Sequence, residues 1–330
     1  MPDNFSFSDN FEKKRTSRVF IHVALFVVTL ITTTIAGMEW TSGTYGPYEI
    51  SDLQHGLPYS LSILFILTFH EFGHYFAALY HKVKVTLPYY IPFPPIAGFF
   101  NFGTMGAVIK TKSPVPSNKA MFDIGVAGPI AGFIACLIVL VYGFMNLPPV
   151  EYILNIHPDY LSPEYGQNSL SLTFGDTLLF SFLKEIFTNA EQFMPPMSEI
   201  YHYPYLCTGW FGLFVTSMNM IPVGQLDGGH VVYSMFGGKR HEAIAGVSML
   251  LMIGFGVLGT LDTFLELGLN IGWTGWLFWS FILYFVIKLK HPPVYEFVVL
   301  DKKRMLLGYL SLAILLLSFS PTPFLFDLTL

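Results

Sequence analysis

The chain has 330 residues, of which 53% are hydrophobic, 17% aromatic and only 12% charged. Soluble domains carry about 25% charged residues, so this composition excludes an ordinary water-soluble enzyme. The net charge of −5 provides no basic surface for nucleic acid. The two cysteines, Cys136 and Cys207, form no metal-binding or disulfide pattern and are expected to be small buried apolar residues.

Seven apolar stretches approach the length of about 20 residues that a membrane helix needs. Pro222 interrupts the fourth stretch, and Pro321 and Pro323 lie near the end of the seventh. The sequence therefore predicts an all-α polytopic membrane protein with about six to seven transmembrane helices. The stretches lie at about 19–38, 57–80, 120–146, 207–233, 243–263, 270–288 and 305–325.

The distribution of basic residues predicts the orientation. If the N-terminus is cytoplasmic, Lys184 is the only one of the 17 Lys and Arg residues on the outer side, in the loop 147–206. The first apolar run is too long for a signal peptide and is interpreted as an uncleaved helix. Because no transit peptide is apparent, the expected location is a bacterial inner membrane.

The chain is divided into three parts on this basis. Residues 1–18 form a cytoplasmic leader, residues 19–240 a catalytic membrane core, and residues 241–330 the C-terminal transmembrane helices. Within the outer loop, 176–187 is too short to cross the membrane and is interpreted as a surface helix or a re-entrant helix.

One apolar segment of the core is not expected to be helical. Residues 83–110 contain four prolines and three glycines, which exclude a spanning helix. Because lipid does not tolerate unpaired backbone groups, this segment is expected to be strand-like or re-entrant, packed against protein near the cytoplasmic surface.

The second predicted span carries three ionisable residues, His70, Glu71 and His74, within the sequence HEFGH. Ionisable groups inside a span cost about 2.5–3.5 kcal/mol each, so they usually serve a function. Residues four apart share one helical face. Two imidazoles so placed can bind one Zn²⁺, with the adjacent Glu as acid/base, so the pattern predicts a zinc hydrolase site.

A catalytic zinc usually takes three protein ligands, and two aspartates are candidates for the third. Asp227 lies within NMIPVGQLDGGH, in a break of the fourth span. Asp123 lies close to Lys119 and is interpreted as a solvated or capping carboxylate. Asp227 is favoured, because Gly228 and Gly229 would let its carboxylate approach a metal.

HEFGH and NMIPVGQLDGG resemble the site-2 protease family of intramembrane zinc metalloproteases, and FDIGVAGPIAGF between them is similar to a Gly-Pro-rich signature of that family. The resemblance covers more than half of the chain. It implies zinc held by His70, His74 and Asp227, with Glu71 as the catalytic acid/base. It also implies that Asn219 assists substrate binding or stabilises the oxyanion.

The resemblance further implies regulated intramembrane proteolysis, in which the substrates are single-span proteins of the lipid bilayer. No insertion long enough for a PDZ domain and no C-terminal regulatory domain is evident, so a compact form is expected. Segment 98–110, with GTMGAV, is similar to the β region of simpler members. It is interpreted as a strand edge for the substrate or as a structural hairpin.

Two other functions stay open at this point. A prenyl-protein-type membrane zinc protease shares HExxH but usually takes a Glu as third ligand, and Glu242 and Glu266 lie at the ends of spans rather than inside them. A metal transporter or receptor could also use intramembrane His and Asp, but transport needs a path open to both sides.

The remaining histidines are assigned by spacing. His230 follows Asp-Gly-Gly and is interpreted either as a partner that orients a metal ligand or as an interfacial histidine. No feature of the sequence indicates an oligomeric state. The other histidines have no partner at ligand spacing and are not expected to bind metal: His22, His55, His81, His157, His202, His241 and His291.

Overall fold

The computed structural model describes residues 7–43, 46, 49–94, 96, 101–165, 170–189 and 191–328, and is mostly helical. The helices of the first half are α1 (Phe7–Ser42), α2 (Leu53–Tyr80), α3 (Asn118–Met145), α4 (Glu151–Ile156) and α5 (Leu178–Phe187). Those of the second half are α6 (Pro204–Met220), α7 (Asp227–Phe236), α8 (Gly238–Leu265), α9 (Gly275–Ile282) and α10 (Lys302–Ser318). The strands are β1 (Tyr89–Pro92), β2 (Thr104–Val108), β3 (Leu170–Phe174) and β4 (Phe324–Leu328).

Within the described part of the chain, four helical segments are long and apolar enough to cross a membrane. They support an integral membrane protein. Their outward side chains are apolar, with Phe20 of α1 72% exposed and Leu250 of α8 70% exposed, as expected for surfaces that face lipid. The four segments are Val19–Ser42, Ile50–Tyr80, Asn118–Met145 and Gly238–Leu265.

The predicted fourth span, 207–233, is two helices rather than one. Helix α6 ends at Met220, and α7 begins at Asp227 after a tight turn. Pro222 has no N–H to continue the helix, and Gly224 adopts a positive φ of +54°. The turn folds the start of α7 back against the end of α6.

The last two predicted spans are also shorter than expected. Helix α9 continues only through a π-helical turn to Ile287, so this apolar helix is 13 residues long rather than a full span. Helix α10 ends at Ser318, because Pro321 and Pro323 follow it. The chain then forms β4, which pairs antiparallel with β3 from the loop 147–206.

The expected strand character of residues 83–110 is confirmed by β1 and β2, which form an antiparallel hairpin. Residues 95 and 97–100 of this segment lie outside the described residues. The hydroxyl groups of Tyr90 and Thr68 are 2.7 Å apart, which joins β1 to α2. The hairpin therefore lies beside the helix that carries HEFGH.

The main hydrophobic core lies between α2, α3, α5 and α6, around the fully buried Trp210 and Phe180. Both cysteines are free and buried in this core, as expected from their spacing. The short helix α5 packs one face on the core. Its opposite face exposes Lys184 and Glu185 together with apolar side chains such as Phe182.

Candidate metal centre and active site

Helix α2 presents His70 and His74 on one face, one turn apart. Both side chains are buried, and their Nε2 atoms are 3.1 Å apart. Glu71 is buried as well, next to the first histidine. The helical period therefore brings the two imidazoles together, as HEFGH predicts.

The carboxylate of Asp227, the first residue of α7, completes the cluster. Its Oδ2 atom lies 3.5 Å from Nε2 of His70 and 3.3 Å from Nε2 of His74. Ligand atoms around a tetrahedral zinc are about 3.3 Å apart, given bonds of about 2.0–2.1 Å. The donor set and its spacing therefore fit Zn²⁺.

The other ring nitrogen of His74 supports this fit. Nδ1 lies 2.7 Å from the carbonyl oxygen of Ile124 and donates its hydrogen to it. This bond fixes the tautomer, so the lone pair of Nε2 points at the cluster. A backbone carbonyl of α3 thus orients one of the candidate ligands.

Glycines of α3 make room for the two imidazoles. A Cβ atom at Gly128 would lie 2.1 Å from Nε2 of His74, and one at Gly132 would lie 3.1 Å from Nδ1 of His70. On α2, a Cβ at Gly73 would lie 2.5 Å from the carbonyl oxygen of Ala127. The Gly-Pro-rich sequence of α3 is therefore a packing surface for HEFGH.

Gly228 and Gly229 serve a different purpose from the predicted one. A Cβ at Gly228 would lie 1.9 Å from the carbonyl oxygen of Met220, and one at Gly229 would lie 2.4 Å from that of Gly224. They allow the turn between α6 and α7 to close. Because these two glycines have no side chain, the backbones of α6 and α7 can pack closely, and this packing sets the position of Asp227. The glycines do not act by leaving space around the metal.

Asn219 is brought closer to the histidines than its sequence position suggests. A continuous helix would place it about two turns from Asp227, whereas the turn after Met220 folds the chain back. The Nδ2 atom of Asn219 lies 3.4 Å from Nε2 of His70. Its amide is therefore part of the same cluster.

The hairpin contributes backbone groups near Glu71. The backbone of Ile109, the residue after β2, lies near the Glu71 carboxylate. Among the described residues, β2 pairs only with β1. The hydroxyl of Thr104 donates to the carbonyl oxygen of Gly106 and accepts from its N–H, and no other described strand pairs with the second edge of β2.

Asp123 does not approach the cluster and is not merely solvated. It accepts hydrogen bonds of 2.7 Å from both Nε and Nη2 of Arg304, and Nε2 of His81 lies 2.8 Å away. These contacts join the start of α10 and the end of α2 to α3. Asp123 is therefore a structural ion-pair partner.

His230 points to a histidine that was not expected to have a partner. Its Nδ1 lies 2.7 Å from Nε2 of His291, whose ring stacks on Tyr233. Among the described residues, no hydrogen bond joins His230 to His70 or His74. A direct role in orienting a ligand stays a prediction.

The carboxylates of the prenyl-type alternative lie elsewhere. Glu242 is half exposed and pairs with Lys290 at 3.3 Å. Glu266 follows the last residue of α8 in a left-handed conformation. Among the described residues, the carboxylate that meets the two histidines is that of Asp227.

Sequence reasoning missed a second cluster, formed by His157, Glu199 and His202. Burial lowers the pKa of His202 to about 4, helped by the neighbouring His157, and burial raises the pKa of Glu199 to about 7. The only local signal was Glu199 three residues before His202. His157 is more than 40 residues away, so spacing could not reveal it.

Comparison with known proteins places the chain in a family. The model of peptidase family M50 matches residues 58–259. A probable chloroplastic zinc metalloprotease of Arabidopsis thaliana, EGY1, is 35% identical over 207 residues, which are 62% of this chain and 34% of that protein. EGY2 of the same plant, likewise named a probable chloroplastic zinc metalloprotease, is 28% identical over 275 residues, 83% of this chain and 43% of that protein.

The chain thus spans less than half the length of these relatives. No solved structure matches it significantly. The family match covers more than half of the chain and includes the helix with HEFGH, the glycines of α3 and the turn before Asp227. The chain therefore belongs to peptidase family M50.

Proposed function

We propose that this chain is an intramembrane zinc endopeptidase that hydrolyses peptide bonds in or near the transmembrane segments of single-span proteins. One observation carries the proposal: Nε2 of His70 and Nε2 of His74, beside Glu71 on a helix of membrane-spanning length, lie 3.1 Å apart and 3.3–3.5 Å from Oδ2 of Asp227 at the start of α7. The names of the two relatives support the same chemistry.

His70, His74 and Asp227 would hold the metal. Zinc, when bound, polarises a carbonyl and makes water nucleophilic near neutral pH. Glu71 would accept the proton of the attacking water on its carboxylate and donate it to the nitrogen of the leaving amine. Its burial excludes bulk water from this transfer.

Asn219 would stabilise the negative charge that develops on the scissile carbonyl oxygen. Its Nδ2 lies beside His70, so an N–H of the amide can be donated to a group bound at the cluster. Fixed donors of this kind act more strongly in a site from which water is excluded.

The free edge of β2 would bind the substrate as an added strand. A helical substrate hides its peptide bonds in its own hydrogen bonds, so it must unwind before hydrolysis. The edge of β2 offers the unwound backbone new hydrogen-bond partners, and Ile109, the residue after this strand, lies near Glu71. Met105 on this strand is 70% exposed, which leaves room for substrate side chains.

We also propose that α6, α9 and α10 are embedded together with the four long helices, which gives seven membrane-embedded elements, within the predicted six to seven, with the N-terminus in the cytoplasm. The skewed distribution of basic residues supports this orientation. The relatives are named as chloroplast proteins and lend no support to the bacterial inner membrane that the sequence predicts.

Removal and return of zinc tests the proposal. The purified chain in detergent is treated with a chelator and mixed with a single-span substrate labelled on both sides of its transmembrane segment. We expect cleavage to stop and to return with added Zn²⁺. Asp227→Asn should require at least tenfold more zinc, because the third ligand becomes neutral.

Glu242→Gln is the matched control, since Glu242 pairs with Lys290 at the surface, away from the histidines. It should respond to zinc as the wild type does. Undiminished cleavage by the metal-free chain would contradict the proposal. A zinc response lost in Glu242→Gln and kept in Asp227→Asn would favour the prenyl-type ligand set instead.

A further inference from the structure

The second cluster joins two separate parts of the chain at one end of the helix bundle. His157 follows α4, whereas Glu199 and His202 lie just before α6. Nε2 of His157 is 2.9 Å from Nε2 of His202, which is 3.6 Å from Oε2 of Glu199. One donor atom from each residue lies within 4.8 Å of the others.

The hydrogen bond made by Nδ1 of His202 determines which of its ring nitrogens carries a lone pair. Its Nδ1 lies 3.2 Å from the carbonyl oxygen of Thr41, near the end of α1, and donates its hydrogen there. In the neutral ring Nε2 then carries a lone pair. His202 therefore presents an acceptor to Glu199.

Glu199 presents a second acceptor to the same space. Its Oε1 accepts a hydrogen bond of 3.0 Å from the hydroxyl of Tyr165. Its Oε2 is buried and has no hydrogen-bond partner among the described residues. The side chain is only 6% exposed, so solvent does not satisfy this oxygen.

Two buried acceptors that face each other need a positive charge or a shared proton between them. The Nε2–H of His157 can serve His202 at 2.9 Å, but it leaves Oε2 of Glu199 without a partner. A bound cation would satisfy all three groups at once. Two imidazoles and one carboxylate are a donor set that zinc takes in proteins.

We propose that His157, Glu199 and His202 bind a second Zn²⁺ ion, at a structural site separate from the catalytic centre. The ring of His157 is only partly buried, which leaves a side open for water as the fourth ligand. The ion ties the loop 147–206 to the end of α1 through the bond from His202 to Thr41.

The two sites lie at different depths of the bundle. The hydroxyl of Thr41 donates to the carbonyl oxygen of His55, near the start of α2. His55 and His70 are about 22 Å apart along α2 at 1.5 Å per residue. Because this distance separates the second site from His70, the proposal of a second zinc ion does not depend on the proposed protease activity.

Counting bound zinc tests the proposal directly. The full chain is purified in detergent, freed of loosely bound metal with a weak chelator, and its zinc is measured by mass spectrometry. We expect about two zinc ions per chain in the wild type and about one in His70→Ala/His74→Ala. Adding His157→Ala and His202→Ala to this double variant should remove the last ion.

His55→Ala in the same double variant is the matched control, since the exposed His55 lies at the same end of the bundle. It should keep one ion. Glu199→Gln, which preserves shape, covers the case in which the quadruple variant does not fold, and should weaken zinc binding at least tenfold. No zinc in the His70→Ala/His74→Ala chain, or equal loss in the His55 control, would overturn the proposal.

Discussion

Gly128 of α3 lies directly against the imidazole of His74, so closely that a Cβ atom would be 2.1 Å from Nε2. This is the nitrogen that faces Asp227. Gly128→Ala should therefore displace the ring and lower both zinc occupancy at the catalytic centre and cleavage at least 100-fold. Zinc analysis in a chain that lacks His157 and His202, together with the cleavage assay, measures both effects.

Gly246→Ala is the control for this substitution. Gly246 lies within α8, and a Cβ there meets nothing within 4 Å. Because alanine favours helix more than glycine does, this variant should be at least as stable as the wild type and fully active. Equal zinc occupancy in both variants would show that Gly128 is not needed for the ring of His74.

Arg304 should stabilise the end of the bundle through Asp123. The pair is partly buried and makes two hydrogen bonds of 2.7 Å. Arg304→Gln should lower the free energy of unfolding by about 1–3 kcal/mol, because it leaves Asp123 with His81 alone.

Lys303→Gln removes a neighbouring exposed charge and should change stability by less than about 0.5 kcal/mol. Denaturant unfolding in mixed micelles compares the two variants. Indistinguishable midpoints would contradict a stabilising role for the Arg304–Asp123 pair.

Local periodicity was enough to predict that His70 and His74 share a helical face, since both lie on one helix. Asp227 was favoured by its position in a Pro- and Gly-rich turn, but the reason was incomplete. The absent side chains of Gly228 and Gly229 allow the backbone of two helices to meet, and helix packing of this kind leaves no local signal.

Contacts between distant parts of the chain could not be predicted. Asp123 and Arg304 are 181 residues apart, and His157 reaches His202 across 45 residues. The pairing of β4 with β3 likewise follows from long-range hydrogen bonds, whereas the apolar residues of 305–325 suggested a full span. Hydrophobicity predicts that a segment is removed from water, but it does not distinguish burial in lipid from burial in protein.

Gly106 in β2 should affect substrate binding more than chemistry. Its φ is +95°, which side chains rarely adopt, although a Cβ would meet nothing within 4 Å. Gly106→Ala should distort the free edge and raise KM at least fivefold, with zinc retained and kcat changed less than twofold.

Gly268→Ala provides the same kind of backbone strain away from the site, with φ +64° and open space around the Cβ. It should leave KM unchanged. Kinetics with a single-span substrate compare the two variants, and an unaltered KM in Gly106→Ala would argue for a purely structural hairpin.

Glu199 should make the metal-free protein sensitive to pH. Burial raises the pKa of Glu199 from an ordinary value of 4.5 to about 7. Its stabilising contribution is therefore complete below about pH 4.5 and is lost as the pH rises through about 7. Glu199→Gln does not titrate, so without metal its Tm should exceed that of the wild type at pH 8 but not at pH 5.

Zinc should reverse this order, because the ionised carboxylate then has a partner. Thermal unfolding of both proteins at the two pH values, with and without Zn²⁺, measures the effect. Parallel Tm curves for the two proteins under all conditions would contradict the assigned environment of Glu199.

Under the proposed function, Glu71 transfers the proton in a zinc-dependent peptide hydrolysis. The most direct measurement compares wild type and Glu71→Gln in proteoliposomes that contain a single-span substrate, with zinc content and cleavage products both determined by mass spectrometry. We predict equal zinc content and at least 1,000-fold slower cleavage in the variant, because the amide cannot accept the proton. Equal rates of cleavage at the same peptide bond would contradict this role of Glu71.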